Sequence, residues 1–182
     1  MVRRAALIGL SALALTGCGA AHHKPPRSTA SSKLAQAEAT HEYPSPRPPP
    51  QTAAGAADAP TTAVRAFATA YINWTAETVS GDMASLAARS VGQARSAMVL
   101  AAAQTADDYE LRRGGIANHG TVEAVAPLSG KPDHYVVVTL ESTGATNTTA
   151  YQGLRPAWHV ALATVTEQGP GQWVLSAWRP EN

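Results

Sequence analysis

Apolar side chains follow a helical repeat in the first part of the region after residue 60. Between residues 64 and 78 their spacings are 3, 4, 3 and 4, which is one face of an amphipathic helix. The residues on this face are Val64, Phe67, Tyr71, Trp74 and Thr78. Asp82 and Ser90 are suited to begin two further helices, because their side chains can accept backbone N–H groups of the first turn. The third helix continues through Tyr109 and is expected to end at the Gly114–Gly115 pair.

After Gly115 the apolar repeat changes to a period of two, which is typical of strands. Four alternating segments are separated by clusters of glycine, proline and small polar residues. The segments lie at 121–128, 135–141, 158–163 and 173–178. Three helices followed by four closely connected strands predict an α+β domain over residues 61–182, in which the helices pack on a curved four-stranded antiparallel sheet.

The chain begins with a short cationic segment and an apolar run. Arg3 and Arg4 precede eleven apolar or small residues, 5–15, too few for the ~20 residues of a membrane-spanning helix. The sequence Leu15-Thr-Gly-Cys18 then resembles the lipobox of bacterial lipoprotein precursors. The resemblance implies a signal peptide over 1–17, a diacylglyceryl thioether on Cys18 and anchorage on the outer face of the cell membrane. An ordinary signal peptide with an incidental cysteine is the alternative.

Residues 18–60 are predicted to form a disordered tether behind the lipidated N-terminus. Residues 19–60 contain eight prolines, and Leu34 is their one residue of the types Leu, Ile, Val and Phe. Such a segment cannot bury enough apolar surface to offset its chain entropy. The segment 44–50, which is rich in proline, favours local polyproline II.

Composition excludes several classes of protein. The 14 Lys and Arg residues nearly balance the 13 Asp and Glu residues, so there is no basic surface for nucleic acid. The single cysteine excludes a disulfide framework and a multi-cysteine zinc site. The histidines of the domain lack the spacing of metal ligands. We therefore expect no metal and no cofactor besides the covalent lipid on Cys18.

No catalytic constellation is predicted from the spacing of the chemically active side chains. The candidates considered are Tyr71, Asp107, Asp108, Tyr109, His119, Glu123, His134, Glu141 and His159. Asp107 and Asp108 are expected to be solvated, and Glu123 and Glu141 to lie outside the apolar faces. His159 lies on the opposite strand face from Trp158, and a buried or half-buried structural histidine is favoured over a general base.

The tryptophans allow two interpretations of the sheet. Trp74 and Trp158 are predicted to be core residues, whereas Trp173 and Trp178 are an odd number of residues apart and should point to opposite faces. One of the latter pair would then lie on the outer face, where Trp178, Tyr151 and Arg155 are predicted to contact a protein partner or a second copy. Alternatively, the sheet twists and loops near residues 144–150 cover it.

The order and length of the predicted elements resemble the nuclear transport factor 2-like superfamily, a cone of helices on a curved sheet. Segments 71–74, 90–98 and 114–120 are similar to lipoproteins of actinobacterial conjugative elements. The resemblance implies a non-enzymatic assembly module that binds other envelope proteins, with conjugative transfer or secretion as the process. The alternative is a ligand carrier or weak enzyme whose pocket is formed by Tyr71, Trp74, Trp158 and His159.

Overall fold

The computed structural model describes residues 49–149, 151–152 and 154–181. The predicted signal peptide, Cys18 and most of the tether lie outside these residues. The described part contains four helices and a five-stranded sheet, one helix and one strand more than predicted. In chain order these elements are α1 (Pro60–Ile72), β1 (Trp74–Thr75), α2 (Val79–Ala88), α3 (Gly92–Ala106), α4 (Tyr109–Gly114), β2 (Ile116–Pro127), β3 (His134–Ala145), β4 (Ala157–Gly169) and β5 (Gln172–Glu181).

The sheet is antiparallel throughout and its strand order follows the chain, β1-β2-β3-β4-β5. Helix α1 contacts β2, β3, β4 and β5, so the sheet curls around this helix. Val64 and Phe67 of the predicted apolar stripe are buried and supply part of the contact. The helix ends at Ile72, so Trp74 and Thr78, which were predicted to continue it, lie outside α1. The α+β class with a curved antiparallel sheet is therefore confirmed for the described residues.

Two β-bulges change which side chains face the helices. Glu123 is an extra residue between Val122 and Ala124 on β2, and Ser176 is an extra residue between Leu175 and Ala177 on β5. Each inserted residue reverses the alternation of the strand beyond it.

As a result, Trp173 and Trp178 both pack towards the helices, although their separation is odd. The prediction that they point to opposite faces is wrong, because alternation assumes an uninterrupted strand.

The third predicted helix is divided in two. Helix α3 ends at Ala106, and α4 begins after Asp108, whose carboxylate accepts the Leu111 N–H at 3.0 Å. Asp108 is therefore an N-cap, a residue type that favours the start of a helix over its continuation. No helix of the described residues is both long enough and apolar enough to cross a membrane.

Residues 51–57, which the sequence assigns to the tether, lie against the domain; we call this segment the strap. Ala57 and Trp173 exchange two backbone hydrogen bonds, of 3.0 and 2.8 Å. The Ala54 N–H donates to Ala88 O at 2.8 Å, and Arg95 donates to Thr52 O at 2.7 Å. The boundary predicted at residue 60 therefore falls inside the folded unit, because backbone pairing holds a segment that has little apolar surface of its own.

Position 115 requires a glycine for two reasons, its backbone conformation and the lack of space for a side chain. Its φ of 59° lies in the left-handed region, and a Cβ there would overlap Thr146 Oγ1. We expect Gly115→Ala to lower the free energy of unfolding by about 2–3 kcal/mol in urea titrations, from backbone strain and steric overlap.

Gly130→Ala is the matched control. Gly130 has a similar φ of 73°, but a Cβ there would have no neighbour within 4 Å. Its substitution should cost about 1 kcal/mol. Equal losses in the two variants would contradict the steric role of Thr146.

Candidate functional site

The face of the sheet that points away from the helices carries an apolar surface. Its six central positions on β3 and β4 hold no charged side chain, and register pairs them as Leu140–Trp158, Val138–Val160 and Val136–Leu162. We call these six residues the outer face. Trp158 is 64% exposed and Val160 39% exposed. Apolar side chains are thus presented to solvent side by side, as at sites of protein–protein contact.

Trp158 was predicted to be a core residue and a pocket residue, and both predictions are wrong. Its neighbour His159 pairs with the buried Thr139, whereas Trp158 pairs with Leu140 on the opposite face. The predicted opposition of Trp158 and His159 is therefore confirmed. Within the described residues, helices cover one side of the sheet, and apolar alternation alone could not show which side that is.

Trp178 was predicted to contact a partner, but it lies in the core with 4% exposure. Its ring lies 5.3 Å from both the Phe67 and the Tyr71 ring, measured between centroids. The bulge at Ser176 turns this side chain inward. Trp178 therefore cannot lie on the outer face.

Tyr71 lies where the aromatic core meets polar residues of the sheet. Burial raises the pKa of the Tyr71 phenol, and the Glu141 carboxylate adds to the increase. The Trp178 indole N–H points towards the phenol and has a smaller, opposite effect on its pKa. The contact is too poor in geometry to count as a hydrogen bond, so the buried indole N–H has no hydrogen-bond partner among the described residues. Burial and the Glu141 carboxylate therefore disfavour ionisation of the Tyr71 phenol.

A polar cluster continues from Tyr71 across β2 and β3. The buried Asn118 donates to Ile72 O and to Glu141 Oε2, both at 2.8 Å. Thr139 donates to the other Glu141 oxygen at 2.6 Å, and Thr143 donates to Asn118 Oδ1 at 2.9 Å. Both carboxylate oxygens thus have donors, which makes Glu141 a structural acceptor that joins β2, β3 and the end of α1.

Glu141 was expected outside the apolar faces, and Asn118 was not among the candidates. The sequence signal for the cluster is the alternation of Thr139, Glu141 and Thr143, which continues the helix-facing positions of β3 beyond the core residue Val137. Asn118 could not be found in this way, because only register brings it opposite Thr143.

The remaining chemical candidates do not converge. Asp107, Tyr109, His119 and Glu123 are exposed. His134 is half-buried, with Nδ1 2.8 Å from Pro132 O.

Of the four predicted pocket residues, Tyr71 and Trp74 are half-buried and pack against the core. His159 lies on the helix-facing side of β4 but is exposed, so the burial predicted for it is wrong, and Trp158 lies on the other side. The four side chains therefore do not line one pocket.

Tyr151 and Arg155 lie in the connection between β3 and β4. Tyr151 lines a cavity of about 460 Å³ together with Glu110 and Arg113 of α4. Arg155 is exposed. With Trp178 in the core, the three predicted partner residues do not form one surface.

Comparisons with known proteins add no family to this description. No family model matches the chain, and the search of curated proteins gives no significant match. Among the described residues, no group of three His, Cys, Asp or Glu side chains is placed to hold a metal ion.

Asn118→Asp tests the structural role of the polar cluster. The change replaces the amide donor by a second carboxylate next to Glu141, and it leaves Ile72 O without its partner. We expect a loss of about 3 kcal/mol in the free energy of unfolding at pH 7. Adjacent carboxylates favour protonation in the folded state, so part of the loss should be recovered on acidification towards pH 4–5.

The control is Asn147→Asp, at an exposed position. Chemical denaturation at several pH values should show little change for this variant relative to the wild type. A pH-independent loss in Asn118→Asp would contradict a close pairing with Glu141.

Proposed function

We propose that this chain is a lipoprotein anchored through Cys18 to the outer face of the cell membrane, and that its folded domain is a non-enzymatic interaction module. The observation that carries the docking role is the outer face, with Trp158 exposed at one end of it. We further propose that the domain belongs to the nuclear transport factor 2-like type. The helices on the inside of a curled sheet support this assignment, as does the order of the elements.

The chemistry of the outer face defines the partner. Its six residues are apolar, and the charged side chains that flank it on β5, Arg179 and Glu181, pair with each other at 2.6 Å. Charged surfaces would lose hydration here without gaining a counter-charge.

The sheet curls around α1, so the outer face is convex. Two convex faces meet over a small area, whereas a stable interface buries about 800 Å² on each partner. We propose a partner protein on the same side of the membrane with a concave apolar surface.

The alternative function, a pocket protein or weak enzyme, has weaker support. Phe67, Tyr71 and Trp178 fill the space between the second half of α1 and the end of β5, beside the predicted pocket residue Tyr71. Both oxygens of Glu141 already accept hydrogen bonds, so this carboxylate is not free to act as a base.

For the interaction module, we propose transfer of DNA or secretion of proteins as the process, because the sequence resembles lipoproteins of conjugative elements.

Cys18→Ser tests the lipid anchor. The full chain, expressed in a bacterium with a lipoprotein pathway, should incorporate labelled palmitate and sediment with the membrane. The serine variant should lose the label and leave the membrane fraction, since the thiol is the group that takes the lipid. His23→Ser, in the same segment, should behave like the wild type. Label retained in Cys18→Ser would overturn the assignment.

Trp158→Glu tests the docking surface. A photo-crosslinking residue at Ser142, beside Leu140 on β3, should give an adduct whose partner is identified by mass spectrometry as another extracytoplasmic protein. Trp158→Glu should reduce the adduct at least about tenfold, because the charge would be desolvated in the interface. The melting temperature should change little, since the residue is exposed.

Leu100→Glu, on α3, is the matched control: Leu100 is 57% exposed and lies outside the sheet. It should leave the adduct unchanged. Equal losses in both variants would contradict a specific outer face. An adduct with the mass of two copies would replace the proposed partner by self-association.

A further inference from the structure

A second apolar surface lies on the helix side of the sheet, next to residues 55–57 at the end of the strap. A cleft of about 260 Å³ is bounded by the strap, α1, the end of α2 and β5. Its apolar walls include Ala57, Ala63, Ala66, Phe67, Leu86 and Trp173. The cleft is separate from the outer face, so the inference drawn from it does not depend on the proposed docking role.

One cation lies among these apolar residues. Arg89 lines the cleft, and its Nε donates to Ser85 O at 3.3 Å. Neither terminal nitrogen of Arg89 forms an ion pair or hydrogen bond with any residue in the described ranges. A guanidinium in this state has four terminal N–H groups free, enough for a bidentate pair with a carboxylate or phosphate.

Size limits the ligand further. Pockets for drug-sized molecules have volumes of about 300–1,000 Å³, so a volume of about 260 Å³ suits a single narrow chain better than a fused ring system. An aliphatic chain would gain from the apolar walls, and an anionic head group from Arg89.

We propose that this cleft binds a free anionic amphiphile with one short aliphatic chain. The chain lies between α1 and Trp173, and the head group lies at Arg89. The assignment concerns binding alone, without a chemical step.

The experiment uses the full chain carrying Cys18→Ser, so that no acyl group is attached to it. Decanoate and decanol are the probes, one anionic and one neutral with the same chain length. Equilibrium dialysis should show saturable binding of decanoate with a Kd below about 1 mM. Decanoate should also change the tryptophan fluorescence, and Trp173→Phe should remove most of this change, whereas Trp158→Phe should retain it.

Three variants locate the two parts of the ligand. Ala66 is an exposed position of α1 that lines the cleft, so Ala66→Leu fills the cleft without changing the core. It should weaken decanoate binding at least about tenfold. Ala103→Leu, at an exposed position of α3, should have no effect. Arg89→Gln should weaken decanoate about three- to fivefold and decanol less than twofold, because an exposed charge contributes modestly.

The absence of saturable decanoate binding would overturn the proposal. Equal binding by the Ala66→Leu and Ala103→Leu variants would overturn it as well, because the chain would then bind elsewhere. Equal weakening of decanoate and decanol in Arg89→Gln would contradict the position of the head group.

Discussion

The contact between α1 and β5 is the interaction on which the rest of the domain depends. Phe67 and Tyr71, one helical turn apart, meet Trp178 with ring centroids 5.3 Å away in each case. Aromatic side chains bury about 150–250 Å² each, so three of them at one point supply a large part of the apolar burial of a small domain. The contact fixes the last strand against the first helix and thereby closes the curl of the sheet. The polar cluster of Asn118 and Glu141 begins beside Tyr71, so its geometry follows from the same contact.

The helix-facing stripe of α1 could be read from the sequence because a single helix has one period and one buried face. The strands were found for the same reason, although with shorter bounds than those of the structure. The faces of the strands were harder to predict. A bulge such as Ser176 or Glu123 leaves no clear mark in composition, yet it reverses every side chain beyond it. The positions of Trp173 and Trp178 therefore became evident only with the register of the sheet.

The candidate site shows a second limit of sequence reasoning. Alternation separates the two faces of β4, and it correctly placed Trp158 opposite His159. It could not say which face meets the helices, because both carry apolar residues. Packing of Val137 and Ala161 against α1 decides this, and that packing is a long-range property. The same holds for Asn118, whose partners are distant in the sequence and adjacent only through strand pairing.

The strap has a mechanical consequence if the chain is anchored at Cys18 as proposed. Tension applied through the residues before Gln51 would reach the hydrogen bonds of Thr52, Ala54 and Ala57 before it reached α1. These bonds connect the strap to three different elements, so the load would be shared among β5, α2 and α3. Under such a pull the strap would detach while the aromatic core stayed folded, and the distance between the proposed anchor and the domain would increase.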